Sequence, residues 1–451
     1  MSQKKFMMNK KVLFVASEAA PIVKVGGLAD VIGSLPKALK KLGVDVSIVL
    51  PFYSTIKLKK RELILANLWK TNLPESNIPV FLIENKNYFK DGIYVEADAS
   101  SGGSEKEAKR FLFFSLSAIK LTEILKPDIL HCHDWHTAIV ASLLRSKKIK
   151  TLLTIHNLGY QGIYSSEIVN QVLGTNFSGE VNCLREGILS ADFINTVSEN
   201  YAKEILTPEY GYGLEKELQK RKNNLVGILN GLDEEQFNPE KDPYLKTNYS
   251  IETLDKKLKN KIFLQKNYFG KVAPEIPVLG MVSRLAQQKG FDLIKTIFPI
   301  LMEEKLQFIL LGKGMKEYED FFQEKSRKYP GKFLAKIQFN EELAHQIYAG
   351  SDIFLMPSLF EPCGLGQMIS MKYGTLPLVR ATGGLKDTVT ENTGFLFEKY
   401  EGQEFLKTIR AALKVFKNKR IWQKIQKNGM RQDFSWQKSA KKYLEVYQKL
   451  I

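Results

Sequence analysis

Residues 12–50 read VLFVASEAAPIVKVGGLADVIGSLPKALKKLGVDVSIVL, and the order of signals in this stretch decides the fold. Val12–Ala16 is an apolar run of strand length. Leu28, Val31, Ile32, Leu35, Leu39 and Leu42 then recur at intervals of three and four, which marks a helix with one buried face. Gly43 stops that helix, and VDVSIVL begins a second strand. Pro36 is expected to kink the helix, because proline removes one N–H from its ladder. The same alternation continues with VFLIE (80–84), DILHCHD (128–134), TLLTIHN (151–157), DFINTVS (192–198) and LVGILN (225–230). It resumes with VLGMVS (278–283), QFILLG (307–312), KIQFN (336–340), DIFLMPS (352–358) and LPLVR (376–380). Repeated strand-helix alternation predicts an α/β protein whose parallel sheets are covered by helices on both faces.

At 451 residues the chain is too long for one ordinary core, so two domains are expected. The boundary is placed at the lysine-rich, weakly apolar interval 241–275, introduced by Asn238, Pro239, Asp242 and Pro243. The formal charge of +17 raises the question of an acidic partner. The lysines are dispersed, however, and pairs such as Lys59–Lys60 or Lys441–Lys442 never grow into a basic tract, so solvated helix faces are the reading. Neither nucleic acid nor membrane is expected as a partner. Three scattered cysteines, Cys132, Cys183 and Cys363, suit reduced thiols, and the charged start MSQKKFMMNKK does not read as a secretory signal. A cytoplasmic location is expected.

In open α/β sheets, ligands bind beyond the carboxyl ends of strands. His133 and Asp134, His156 and Asn157, Asn230, Arg284, Glu361 and Thr382 all stand at such ends. Two sheets facing each other would gather them in one cleft. Gly-Gly-Leu-x-Asp occurs twice, as KVGGLAD from Lys24 and as ATGGLKD from Ala381. A strand followed by Gly-Gly and a helix leaves backbone N–H groups unshielded at a partly positive helix end, where anions bind. Neither loop has the dinucleotide or P-loop pattern. His133 and His136 in HCHDWH lack a third ligand at metal-binding spacing, so no metal is expected.

Taken in order, KVGGLAD, HCHDWH, TIHNLGYQG, ILNGLD, VSRLAQQKG, SLFEPCGLGQ and ATGGLKDTV resemble the bacterial glycogen synthases and plant starch synthases. The resemblance runs from about residue 10 to FSWQKSAKKYLEVY near the C-terminus. It implies a GT-B architecture of two Rossmann-like domains. The first would be 1–240 on the acceptor side, completed by a helix over 434–451, and the second 241–433, binding the nucleotide sugar. The implied activity is transfer of glucose from ADP-glucose to the non-reducing end of an α-1,4-glucan with retention of configuration. The resemblance assigns catalytic roles to Lys24, His156, Arg284, Lys289 and Glu361. It assigns substrate contacts to Gly26, Gly27, Asp30, Asp134, Asn157, Asn230, Cys363, Gly364, Leu365, Thr382, Gly383 and Gly384. Arg284 and Lys289 would hold the diphosphate without a metal or other cofactor. The sequence departs from the family pattern at Val25, Leu359 and Gly366, where threonine, arginine and asparagine are usual, and in a short segment 85–110. Another hexosyltransferase of the same fold, or a glucan-binding protein without catalysis, would share many of these residues.

Overall fold

The computed structural model describes residues 10–94, 104–144 and 148–451. They form two compact units, Met1–Gly231 with Ser435–Ile451, and Leu232–Phe434.

The first unit is built on β1 (Lys11–Val15), β2 (Asp45–Pro51), β3 (Glu62–Leu65), β4 (Leu68–Asn72), β5 (Pro79–Ile83), β6 (Ile129–His133), β7 (Lys150–Ile155), β8 (Ile163–Ser165), β9 (Glu180–Asn182), β10 (Phe193–Thr196) and β11 (Leu225–Gly227). Nine of them form one sheet in the order β11-β10-β7-β6-β1-β2-β5-β4-β3, while β8 and β9 pair separately. β1 lies between β2 and β6, parallel to both, so the strand order reverses at β1. The β3–β4 hairpin adds an antiparallel edge to β5, which the sequence reading did not contain. Its strands are short and half polar, and Leu63 and Leu65 face solvent, so no apolar run announces them.

The helix Gly27–Lys41 buries Leu28, Val31, Ile32, Leu35 and Leu39 and continues past Pro36. Trp436–Leu450 packs on it and returns the end of the chain to this unit. Polar bonds fix that helix: Asn195 Nδ2 donates to the Tyr443 hydroxyl at 3.0 Å, and Ser439 Oγ donates to the Leu229 carbonyl at 2.6 Å. The Tyr447 hydroxyl lies 2.8 Å from His131 Nδ1. Arg110, fully buried, donates to the carbonyls of Tyr88, Gly92 and Ile93 and pairs with Glu107, tying segment 88–93 to the helix Glu105–Leu125. Residues 95–103 of the short 85–110 segment lie outside the described residues.

The second unit carries β12 (Val278–Val282), β13 (Gln307–Gly312), β14 (Phe333–Ile337), β15 (Ile353–Met356), β16 (Leu376–Arg380) and β17 (Phe395–Phe397), all parallel, in the order β14-β13-β12-β15-β16-β17. This is the 3-2-1-4-5-6 order of a Rossmann fold. The strand expected at 336–340 is shifted to Phe333–Ile337; Phe339, which reads as a core residue, is 92% exposed.

The division between units falls at Gly231/Leu232, ahead of the interval 241–275, which is packed into the second unit. Its lysines explain why composition misled: Lys257 and Lys261 are buried on the helix Lys257–Leu264. Lys257 Nζ donates to Ala349 O and Thr375 Oγ1, each at 2.7 Å, and to Tyr348 O at 3.4 Å, and Lys261 pairs with Asp352 at 2.7 Å. Burial pulls Lys257 down to about 7. The unfolded chain therefore holds a proton that the folded chain releases between about pH 7 and 10.5, and this group's contribution to stability rises with pH across that window. Lys257→Met removes the side-chain donor to Ala349 O and Thr375 Oγ1 and is expected to cost about 3 kcal/mol. It should also remove this rise, as read by denaturant unfolding at pH 7 and pH 9.

Candidate active site

In the second unit the loops after β12 and β15, the two strands flanking the reversal of order, approach closely. Gly290 makes this possible: at φ +75° a side chain is disfavoured, and a Cβ there would lie 2.0 Å from the Pro357 carbonyl. Leu359 N donates to Gln288 O at 2.8 Å, and Gln288 Nε2 to Phe360 O at 3.2 Å. Across this contact Lys289 Nζ donates to Glu361 Oε2 at 2.6 Å, and Ser358 Oγ donates to the same oxygen at 3.0 Å. The exposed Arg284, with Lys289, Ser358, Glu361, Gly364, Leu365 and Gly366, lines a pocket of about 220 Å3.

The second glycine loop packs against the backbone of Glu361. Gly384 N donates to Glu361 O at 3.0 Å, and a Cβ on Gly383, whose φ is +45°, would lie 1.9 Å from that carbonyl. Thr382 N donates to Arg380 O at 2.9 Å. The backbone donors of Thr382 and Gly384, expected to serve phosphate, are thus engaged within the protein, the first inside its own loop and the second where that loop packs on the Glu361 segment. Cys363 is buried, and its carbonyl accepts from Gln367 Nε2 at 3.1 Å, which is a packing position. Leu359 contributes its carbonyl, which accepts from Arg380 Nη1. At Gly366 a Cβ would lie 2.9 Å from the Phe354 ring.

In the first unit the corresponding loops follow β1 and β6. The first glycine loop closes on a residue the sequence reading missed. Glu18 Oε2 accepts from Val25 N at 2.6 Å and Gly26 N at 3.0 Å. Burial pushes the Glu18 carboxyl above its usual range, while these two N–H groups oppose the shift. The expected anion-facing donors at Val25 and Gly26 are therefore occupied by an internal carboxylate. The sequence signal was available, since Glu18 is a lone charge in the apolar run VLFVASEAAP. Gly27 opens the helix, and Lys24 Nζ donates to Asp30 Oδ1 at 2.6 Å, so these two candidates meet as a half-exposed ion pair.

Asp134 joins the loops after β6 and β7. Its backbone is left-handed at φ +55°, and its Oδ1 accepts from His156 N at 2.6 Å and Asn157 N at 3.3 Å. Burial raises Asp134 to about 7, and the nearby Glu18 carboxylate adds to the rise. His156 Nε2 lies 3.1 Å from His133 Nδ1, and burial lowers His156 to about 3, which keeps it neutral at physiological pH. Asn157 Oδ1 accepts from Gly159 N and shapes the turn. Asn230 stands apart, beyond the edge strand β11, with its Oδ1 buried and unpartnered. Among the described residues, no group of three or more His, Cys, Asp or Glu could hold a metal ion.

These loops lie in regions that known families share. Residues 11–220 match the starch synthase catalytic domain, and residues 267–429 match the group 1 glycosyl transferases. The glycogen synthase of Desulforamulus reducens is 43% identical over 98% of this chain and 99% of its own, and that of Anoxybacillus flavithermus 42% identical over 98% of each. The chain belongs to the glycogen and starch synthase family. The catalytic domain of Arabidopsis thaliana starch synthase IV, solved with ADP and acarbose, superposes with a TM-score of 0.87 at 31% identity, covering 98% of this chain and 99% of that one. A sucrose-phosphate synthase from Thermosynechococcus elongatus shares the fold at 17% identity and a TM-score of 0.67. A member of this synthase family is a glycosyltransferase, and its two Rossmann-like units are those of the GT-B architecture.

Asp134→Asn tests whether this carboxyl acts mainly by holding the two loops. The folded wild type keeps a proton that the unfolded chain releases between pH 3.8 and about 7, so this group's contribution to stability falls as pH rises through that window. Asparagine still accepts both N–H bonds but does not titrate. The variant's stability relative to wild type is expected to be greater at pH 7 than at pH 5, measured by urea unfolding at both.

Proposed function

We propose that this synthase transfers glucose from ADP-glucose to the non-reducing end of an α-1,4-glucan, with retention and without a metal. The observation that carries the reading is the ion pair of Lys289 and Glu361 beside Arg284, at the point where strand order reverses. An ammonium has three donors; one is committed to Glu361, which leaves two for phosphate oxygens, and Arg284 adds a planar fork suited to the same anion. Both protein donors to the Glu361 carboxylate go to Oε2, and Oε1 is the acceptor for hydroxyls of the donor glucose.

As the glycosidic bond breaks, charge grows on the departing diphosphate. Fixed cations placed there stabilise the transition state more than the ground state. The leaving phosphate takes the acceptor's proton on the same face, which preserves configuration. Lys24 and His156 complete the donor contacts, while Asp134 holds the backbone of His156 and Asn157. The domain roles follow: the unit Met1–Gly231 with Ser435–Ile451 serves the acceptor side, and Leu232–Phe434 the nucleotide sugar. Gly26, Gly27, Asp30, Asn230, Gly364, Leu365 and Gly383 serve as loop and substrate contacts. A cytoplasmic location is the reading supported by the three buried cysteines, none of them in a disulfide.

The test is nucleotide release from ADP-glucose and from UDP-glucose, each with and without glycogen, in the presence of a chelator. Glycogen-dependent release from ADP-glucose with chain elongation is expected; equal or better use of UDP-glucose, or loss of activity in chelator, would overturn the donor or the metal-free assignment. Glu361→Ala should lower kcat about 100-fold or more while circular dichroism stays unchanged. A folded variant with undiminished turnover would remove Glu361 from its role.

A further inference from the structure

The buried histidines around β6 form a hydrogen-bond chain in which most protons can be placed. Thr154 Oγ1 donates to Asn195 Oδ1 at 2.6 Å, so toward His131 Nε2, 2.5 Å away, it acts as an acceptor. His131 therefore carries its proton on Nε2, and its Nδ1 accepts from the Tyr447 hydroxyl. Both nitrogens of His131 are spent. His133 packs against two rings, its centroid 4.2 Å from His131 in a tilted contact and 5.3 Å from Phe14 in a stacked one, which restrains its plane. Its Nδ1 meets His156 Nε2 at 3.1 Å, and its Nε2 is buried with no partner.

Burial holds both His133 and His156 below their ordinary pKa, so two neutral rings share one proton across that contact. If His156 were the donor, His133 would need its own proton on Nε2, leaving a buried N–H without an acceptor. If His133 is the donor, the unpartnered atom is a bare lone pair, the lesser cost, since orphaned buried N–H groups are the rarer defect. We infer that His133 is a positioning residue for transfer: it donates from Nδ1 to His156 Nε2, and so fixes His156 in the tautomer that presents Nδ1–H. No described residue hydrogen-bonds to His156 Nδ1. It is an N–H donor aimed at a sugar hydroxyl oxygen, a role for which the other tautomer would offer only a lone pair.

This deepens the transferase reading and rests on His156 facing the sugar, but its first test needs no substrate. With 15N-labelled histidine, long-range 1H–15N spectra at pH 7 distinguish the two tautomers, and His156→Asn identifies the His156 signals among the five histidines. A protonated Nδ1 and bare Nε2 on His156 are expected; a protonated Nε2 overturns the inference. His133→Asn keeps an amide N–H near the Nδ1 position, whereas His133→Leu removes it. The leucine variant should shift His156 toward Nε2–H and lose at least tenfold in kcat with ADP-glucose and glycogen, and the asparagine variant should retain most of both. A folded leucine variant with wild-type kcat and KM also overturns the inference. Should leucine prevent folding, the wild-type spectrum and the asparagine variant decide. If the spectrum is as expected but no nucleotide sugar is turned over, the proposed function fails and the proton assignment stands.

Discussion

Each sheet is begun from its interior. β1 and β12 are the first strands of their units' sheets and lie among later ones, so the chain must leave to one side and return to the other. Parallel pairing then requires the connections on the two sides to diverge, and the loops after the first and fourth parallel strands border the resulting crevice. The candidate chemistry sits there: Glu18, Lys24 and Asp134 in one unit, Arg284, Lys289 and Glu361 in the other. The packing and hydrogen bonding around each crevice hold these loops at close quarters.

The two glycine loops, alike in sequence, solve different problems. The first follows the first strand of its sheet and wraps two backbone N–H groups around the buried Glu18 carboxylate. The second follows the fifth strand of its sheet and presses glycine backbone against the Glu361 carbonyl, where no side chain fits. They occupy different topological positions, so the repeated Gly-Gly-Leu-x-Asp is not evidence of a duplicated unit. In both, glycine permits close approach to a glutamate, by its carboxylate in one case and its backbone in the other.

Much of this was legible because buried parallel strands are nearly continuous apolar runs, and because chemistry at their carboxyl ends comes directly after them in sequence. Arg284, Glu361, Asp134 and His156 could be found that way. The reading failed where burial is decided by partners rather than composition. Lys257 looks like a solvated charge until its three acceptors come from residues about 90 or more positions away. Phe339 looks buried, yet the strand ends before it. Glu18 is not legible as a partner of the glycine loop, because only the fold brings the N–H groups of Val25 and Gly26 to it. The contact of His133 with His156 likewise depends on the parallel register of β6 and β7, which spacing along the chain does not reveal.

The return of Ser435–Ile451 to the first unit makes the second an insertion within the first. The two crossing segments are joined where Leu232 N donates to Phe434 O at 2.7 Å. During synthesis, the helix that covers Gly27–Lys41 and caps His131 emerges only after about 200 residues of the second unit, a delay of about 10 to 40 s at ordinary translation rates. Throughout that interval the helix Gly27–Lys41 lacks its cover, and His131 and Asn195 lack the hydroxyls of Tyr447 and Tyr443. The fold is therefore assembled out of chain order: the unit begun first is the last to be sealed.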